Sequence, residues 1–192
     1  MRKLEIGPSP AQNTPDGAPV NTWDTVDSTY AATYKHTWGD KPLPIEDNKY
    51  DWVHASHVLE HIPWWKVQQA LRDVYRIIDV NGRVTIWVPD ALKIIHKATT
   101  APDGYLEKEK DWACAGLNPQ KDLWVYMNAR VFWGARPKEL GQEQHWHRSL
   151  FGEDSLKDQM KKAGFRGVAK IMRDTAVDRG HGWMEIGMEG FK

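Results

Sequence analysis

The segment from Tyr50 to Pro89 constrains the fold of this chain more than any other. Tyr50-Asp-Trp-Val-His-Ala-Ser56 is short and enriched in aromatic and β-branched residues, which is the pattern of a strand. From Trp64 onward Val67, Ala70, Leu71, Val74, Ile77 and Ile78 recur at three- and four-residue steps, so they share one helix face. Asn81-Gly82 predicts the stop of that helix. Arg83 to Val88 then reads as a strand closed by Pro89-Asp90, and Ala91 to Lys97 as another helix. Strand, helix, strand, helix in this order implies parallel pairing with right-handed crossovers.

The flanks extend the same pattern. Lys3 to Ile6 reads as a strand ending at Gly7-Pro8, and Trp23 to Val26 as one ending at Asp27. Pro8, Pro10, Pro15 and Pro19 lie between them and keep that connection from being helical. Ser28 to Lys49, with Pro42 and Pro44, reads as loop with one short edge strand. Leu123 to Phe132 reads as a helix carrying Trp124, Met127 and Val131 on one side, followed by a polar, His-rich loop from Gly134 to Ser149. Glu153 to Ala163 is an amphipathic helix with Leu156 and Met160 inside and Gly164 as its C-terminal cap. Strands at Val168 to Met172 and Met184 to Met188 complete a single domain over residues 1–192, an α/β sheet with helices on both faces and a final antiparallel strand.

Charge and cysteine content narrow the function classes. Lys plus Arg and Asp plus Glu both number 26, so no overall positive field is available to hold a nucleic acid or an anionic membrane. Cys114 is the single cysteine, which excludes an internal disulfide and any multi-cysteine zinc site and suits a reducing compartment. The first residues hold too short an apolar run for a signal peptide, and no run reaches the roughly 18 residues of a membrane span. The cytoplasm is the expected location. The 11 tryptophans are read first as packing residues.

In parallel α/β sheets the ligand crevice lies outside the carboxyl ends of the strands. Gly7, Asp27 and Ser56 gather on that edge, and His57, Glu60 and His61 follow directly. An acid ending the second strand can accept both hydroxyls of a ribose, and a glycine after the first lets backbone amides approach an acidic group. Together they point to a nucleoside-bearing ligand. His57 and His61 also admit a structural reading, in which they cap the strand and seat the next turn. The same holds for Gln144 to Arg148 as a solvated loop, and for Lys157 to Lys162 and Glu107 to Asp111 as solvated faces.

Four ordered segments, Leu4-Glu-Ile-Gly7, Trp23-Asp-Thr-Val-Asp27, Pro42 to Val53 and His57-Val-Leu-Glu-His61, resemble the small class I S-adenosylmethionine (SAM)-dependent methyltransferases, in particular their short type-11-like members. Leu71 to Pro89, His147 to Leu156 and Ala163-Gly-Phe165 are similar to later segments of that family. The resemblance implies a trimmed Rossmann-like sheet, mostly parallel with an antiparallel C-terminal strand. Its cofactor would be SAM, with S-adenosylhomocysteine as product. Glu5, Gly7, Pro8, Asp27, Trp38, Gly39, Asp40, Ser56 and His57 would contact that cofactor, Trp38 stacking on adenine while Asp40 meets its amino group. One departure is plain: Gly7-Pro-Ser-Pro10 replaces the glycine-rich start of a helix, so the helix after the first strand is missing.

The function implied is methyl transfer to an oxygen or nitrogen of a small molecule or saccharide, with no nucleic-acid or membrane partner. A base is optional, and the candidates are His57, His61, His145 and His147. His57 is expected to be neutral beside the sulfonium, with Glu60 and His61 turned away to fix the following loop. An alternative is a SAM- or nucleoside-binding protein without transferase activity. A third is a zinc hydrolase, because His57-Val-Leu-Glu-His61 fits the H-x-x-E-H pattern. That chemistry needs both histidines on one helix, whereas here a strand precedes and Pro63 follows, so no metal is expected.

Overall fold

A computed structural model describes residues 1–8, 14–19, 22–100, 123–132, 146–173 and 184–192. Seven strands, β1 (Lys3–Ile6), β2 (Asp24–Asp27), β3 (Tyr34–Lys35), β4 (Tyr50–Ser56), β5 (Ile78–Pro89), β6 (Arg166–Ile171) and β7 (Glu185–Phe191), form one sheet in the order β3-β2-β1-β4-β5-β7-β6. The first five pair in parallel; β7 runs antiparallel between β5 and β6. Strand order reverses between β1 and β4, which places the ligand crevice of a parallel sheet at their C-terminal ends.

Among the described residues four helices accompany the sheet: α1 (Val67–Ile77), α2 (Ala91–Thr100), α3 (Leu123–Phe132) and α4 (Glu153–Ala163). Alternation along the strands separates two faces. Leu4, Ile6, Val53, Ala55, Val84, Ile86 and Met188 join Leu71 and Val74 of α1 and Leu156 and Met160 of α4 in one core. On the opposite face Trp23 packs edge-on to Trp52 at 4.8 Å, and the guanidinium of Arg83 covers the Trp52 ring at 3.9 Å. Trp52, His54, Thr85 and Trp87 are all buried there. Trp23, Trp52 and Trp87 are thus packing residues as expected, and Trp38 is buried as well, whereas Trp64 and Trp65 are exposed on the turn before α1.

α4 matches its sequence pattern from cap to cap. The Gly152 amide donates to Ser155 Oγ at 2.9 Å, and Gly164, at φ 113°, donates to the Lys161 carbonyl. α1 does not. It stops at Ile77 rather than running on to Asn81-Gly82, and Ile78 is already extended and paired with Tyr50. The terminal carbonyls explain this early stop. Arg76 O accepts the Asn48 amide at 3.0 Å and Ile77 O the Lys49 amide at 2.8 Å, while Lys192 Nζ reaches Arg76 O and Ile78 O. Asn81, at φ 66°, then lies within an irregular stretch of β5, between the pairings of Ile78 with Tyr50 and Arg83 with Trp52.

No helix joins β1 to β2, or β3 to β4, among the described residues. The second connection is instead clamped by Arg76, which donates to the carbonyls of Ile45 and Leu43 and pairs with Asp47 and Asp73. Trp38, Leu43 and Ile45 fill the core where a helix would otherwise pack. No described helix is long and apolar enough to cross a membrane.

Candidate active site

Gly7, Asp27 and Ser56 do meet on one edge, because β1, β2 and β4 are neighbours and parallel. Gly7 has φ 70°, and its amide donates to Val26 O at 2.8 Å. Pro8 follows it. Asp27 is partly buried at the end of β2, with Oδ1 accepting the amides of Thr29 at 2.5 Å and Tyr30 at 2.6 Å. One carboxylate oxygen therefore shapes the turn. Ser28, Lys35, His36, Thr37, Asp40 and Lys41 line an open cavity of about 320 Å³ next to this strand end, within the size range of small-ligand sites.

Glu5 is buried within β1, level with Thr25 and His54, so it stands inside the sheet rather than at its edge. Trp38 departs from the expected adenine contact. It is buried in the core and its indole N–H donates to Ala70 O of α1 at 3.2 Å, so its ring is enclosed by side chains and unavailable for stacking on a ligand. Gly39 is buried beside it at φ 89°. Asp40 is exposed, pairs with Lys66 at 3.1 Å and lines the cavity.

The turn after β4 is built around His57, which adopts φ 55°, a conformation uncommon outside glycine, while its amide donates to Trp87 O. Its imidazole sits between two buried carboxylates, with Nε2 3.0 Å from Glu185 and Nδ1 3.3 Å from Glu60. Burial alone would push its pKa down, but Glu185 and Glu60 outweigh that and raise it to about 9. These surroundings favour the protonated imidazole, whereas the sequence reading expects a neutral ring beside a bound sulfonium. Burial would likewise raise the Glu60 carboxyl, yet His57, with His61 and His147, brings it down to about 2. Arg173 completes the group by pairing with Glu185 at 2.9 Å, donating to Ser56 Oγ at 3.0 Å and stacking over Trp87.

Arg173 and Glu185 carry no motif and were not legible as site residues. Glu185 falls within the predicted last strand, and only the antiparallel insertion of β7 beside β5 brings it to the end of β4. His145 lies outside the described residues. His147 is there, lodged against the β4 turn, with Nδ1 donating to Val131 O at 3.0 Å and burial pushing its pKa down to about 4. The H-x-x-E-H pattern does not chelate as such, because Leu59–His61 is a single 3-10 turn and His57 faces Glu185 instead. Among the described residues, Glu60, His61 and His147 are a group that could hold a cation, with one ligand atom from each within 4.8 Å of the others.

The residues present at the strand ends fit a SAM-like nucleoside ligand. The main chain at Gly7 admits no β-carbon, and an acid and a cavity stand at the end of β2. Comparison with known proteins agrees. A family model described as a methyltransferase domain matches residues 5–170. No curated protein matches the chain. Among solved structures, a SAM-dependent methyltransferase from Thermotoga maritima, described as a possible histamine N-methyltransferase, is 18% identical with a TM-score of 0.52, over 100% of this chain and 82% of that one. The Burkholderia thailandensis 1,6-didemethyltoxoflavin-N1-methyltransferase, solved with its substrate and S-adenosylhomocysteine, is 13% identical with a TM-score of 0.55, over 99% of this chain and 70% of that one. The chain spans only 48% of a third, the CurJ carbon methyltransferase, at 13% identity and a TM-score of 0.52. With the family model spanning most of its length, this chain belongs to the methyltransferase-domain family and has the class I fold on which SAM-dependent methyl transfer is carried out.

Proposed function

We propose that the protein transfers the methyl group of SAM to an oxygen or nitrogen of a small molecule or saccharide. The observation that carries this reading is the convergence of Gly7, Asp27 and Ser56 on one edge of the parallel strands, beside the cavity lined by Ser28, Thr37 and Asp40. SAM supplies an already activated methyl group on a sulfonium, so the protein's main tasks are alignment and exclusion of water. In this reading Asp27 accepts the ribose hydroxyls through the oxygen it does not spend on its turn, and Gly7 lets the main chain approach the methionyl end. Asp40 meets the adenine rim, and Ser56, held by Arg173, lies beside the donor. His57 takes an electrostatic and positioning part, because its surroundings hold its proton. The small-molecule acceptor is in keeping with the Burkholderia neighbour, an N1-methyltransferase of 1,6-didemethyltoxoflavin, and with the Thermotoga neighbour, described as a possible histamine N-methyltransferase.

Calorimetry with SAM and S-adenosylhomocysteine tests the binding half, and one site for each is expected. Transfer of labelled methyl from SAM over a panel of hydroxyl- and amine-bearing small molecules and saccharides tests the rest. Binding without transfer to any acceptor would favour a SAM-binding protein that does not turn over, and absence of binding would end the reading altogether.

A further inference from the structure

Glu60 is almost wholly buried, at 1% exposure, yet neither of its carboxylate oxygens makes a hydrogen bond. Its Oε1 lies at ion-pair distance from His57 Nδ1, 3.3 Å, and from His147 Nε2, 3.9 Å. An ionised group buried this deeply is costly without strong compensation. The two neighbouring histidines are set up in a related way. His61 Nδ1 faces the Trp146 carbonyl at 3.3 Å and His147 Nδ1 the Val131 carbonyl at 3.0 Å. A carbonyl only accepts, so each Nδ1 carries the hydrogen in these contacts and Nε2 is the nitrogen left to offer a lone pair. Their rings stand 5.0 Å apart at 62°. Backbone carbonyls on the far nitrogen of metal-bound histidines do this same work of fixing tautomer and ring direction.

The two halves of the cluster come from distant parts of the chain but are fastened together. The amides of Arg148 and Ser149 donate to Glu60 O at 2.7 and 3.1 Å, and Ser149 Oγ donates to Ile62 O. His147 is thereby fixed relative to Glu60 and His61 by the backbone itself.

We propose that Glu60, His61 and His147 form a binding site for one divalent first-row transition-metal ion, of which Zn²⁺ is the type. Two imidazoles and one carboxylate are a donor set suited to such ions rather than to Mg²⁺ or Ca²⁺, which favour all-oxygen surroundings. Three protein ligands leave further positions to water or substrate. The ligand atoms already lie within 4.8 Å of one another. Bonds of about 2.0 Å at tetrahedral angles need edges of roughly 3.3 Å, so side-chain closure of about an ångström completes the site. His57, against Glu60 Oε1, then orients the ligating carboxylate. This set differs from the H-x-x-E-H pair, since His57 is not a ligand.

The test uses the full chain, stripped with chelator and titrated with Zn²⁺ and with Co²⁺ by calorimetry. One equivalent binding at micromolar or tighter affinity is expected. His147→Ala should weaken it at least tenfold, and so should Glu60→Gln, whereas His96→Ala, at an exposed histidine of α2, should leave it unchanged. Absence of a micromolar site, or one that survives both cluster substitutions, would overturn the proposal. Should the buried substitutions unfold the protein, the Co²⁺-loaded parent still decides. Two strongly shifted exchangeable imidazole N–H proton resonances are expected from His61 and His147, and fewer than two would refute the assignment. Titration of S-adenosylhomocysteine into stripped protein separates this site from the methyl-transfer reading, which stands if that ligand binds without metal.

Discussion

A β-carbon placed on Gly7 would lie 2.3 Å from Cγ2 of Val58, far inside any normal contact. The first strand's exit and the turn after β4 are therefore pressed together at the edge proposed to approach SAM. Val58 is itself packed against the core and has no long side chain to swing aside. Gly7→Ala combines that overlap with a φ of 70°. Strain and overpacking together should cost roughly 2–4 kcal/mol. A urea titration would show the midpoint falling, and an unchanged midpoint would mean that the turn yields freely.

Asp27 has two tasks that substitution can separate. Its Oδ1 holds the amides of Thr29 and Tyr30, a part that asparagine can play as well. Its charge and second oxygen serve the proposed ribose contact. Asp27→Ala should weaken S-adenosylhomocysteine binding tens- to hundreds-fold, about 2–3 kcal/mol for a charge-assisted pair of hydrogen bonds. Asp27→Asn should keep the turn and lose less. Calorimetry on both variants checks this, and full affinity in folded Asp27→Ala would remove Asp27 from the site.

Trp38 belongs to the core in the structure, and its substitution should behave accordingly. Trp38→Phe loses the bond to Ala70 O and leaves a small void, at a cost of about 1–3 kcal/mol in stability. The affinity for S-adenosylhomocysteine should stay within twofold, measured by calorimetry. A large loss of affinity without a loss of stability would restore the adenine contact that the sequence suggested.

The contrast between Trp38 and α4 shows what the sequence could carry. α4 is specified by its own residues: Leu156 and Met160 on one face, and Gly164 at the end. The strands β1, β2 and β4, and with them the edge that gathers Gly7, Asp27 and Ser56, were legible for the same reason, since local apolar runs and turn residues define them. What escaped was decided at long range. Trp38 finds its partner 32 residues on, and His57 is held by Glu185, 128 residues away. The end of α1 is set by Asn48, Lys49 and the side chain of Lys192 rather than by Asn81-Gly82. Motif spacing cannot report a carboxylate that arrives on the last strand of the sheet.

His54 makes the fold sensitive to acid. It is buried on the tryptophan-rich face, where Trp52 Nε1 donates to Thr85 Oγ1 at 2.9 Å, and Thr85 lies 2.8 Å from His54 Nδ1. While it accepts from the indole, the Thr85 hydroxyl still has its own hydrogen to donate to His54 Nδ1, an arrangement open to a neutral imidazole. Burial and the charge of Arg173 lower its pKa from 6.5 to about 3. The unfolded chain therefore holds a proton on this ring between those two values that the folded protein does not, and stability falls as pH falls through that window. The slope from this one group is up to about 1.4 kcal/mol per pH unit, or roughly 2 kcal/mol lost between pH 7 and pH 5. His54→Gln keeps an acceptor for Thr85 but cannot take up the proton. Urea unfolding of both proteins from pH 7 to pH 5 should show the variant's stability declining less steeply by that amount, whatever its stability at pH 7. Parallel declines would mean that His54 is protonated inside the fold, and the acid sensitivity would then have to come from other groups.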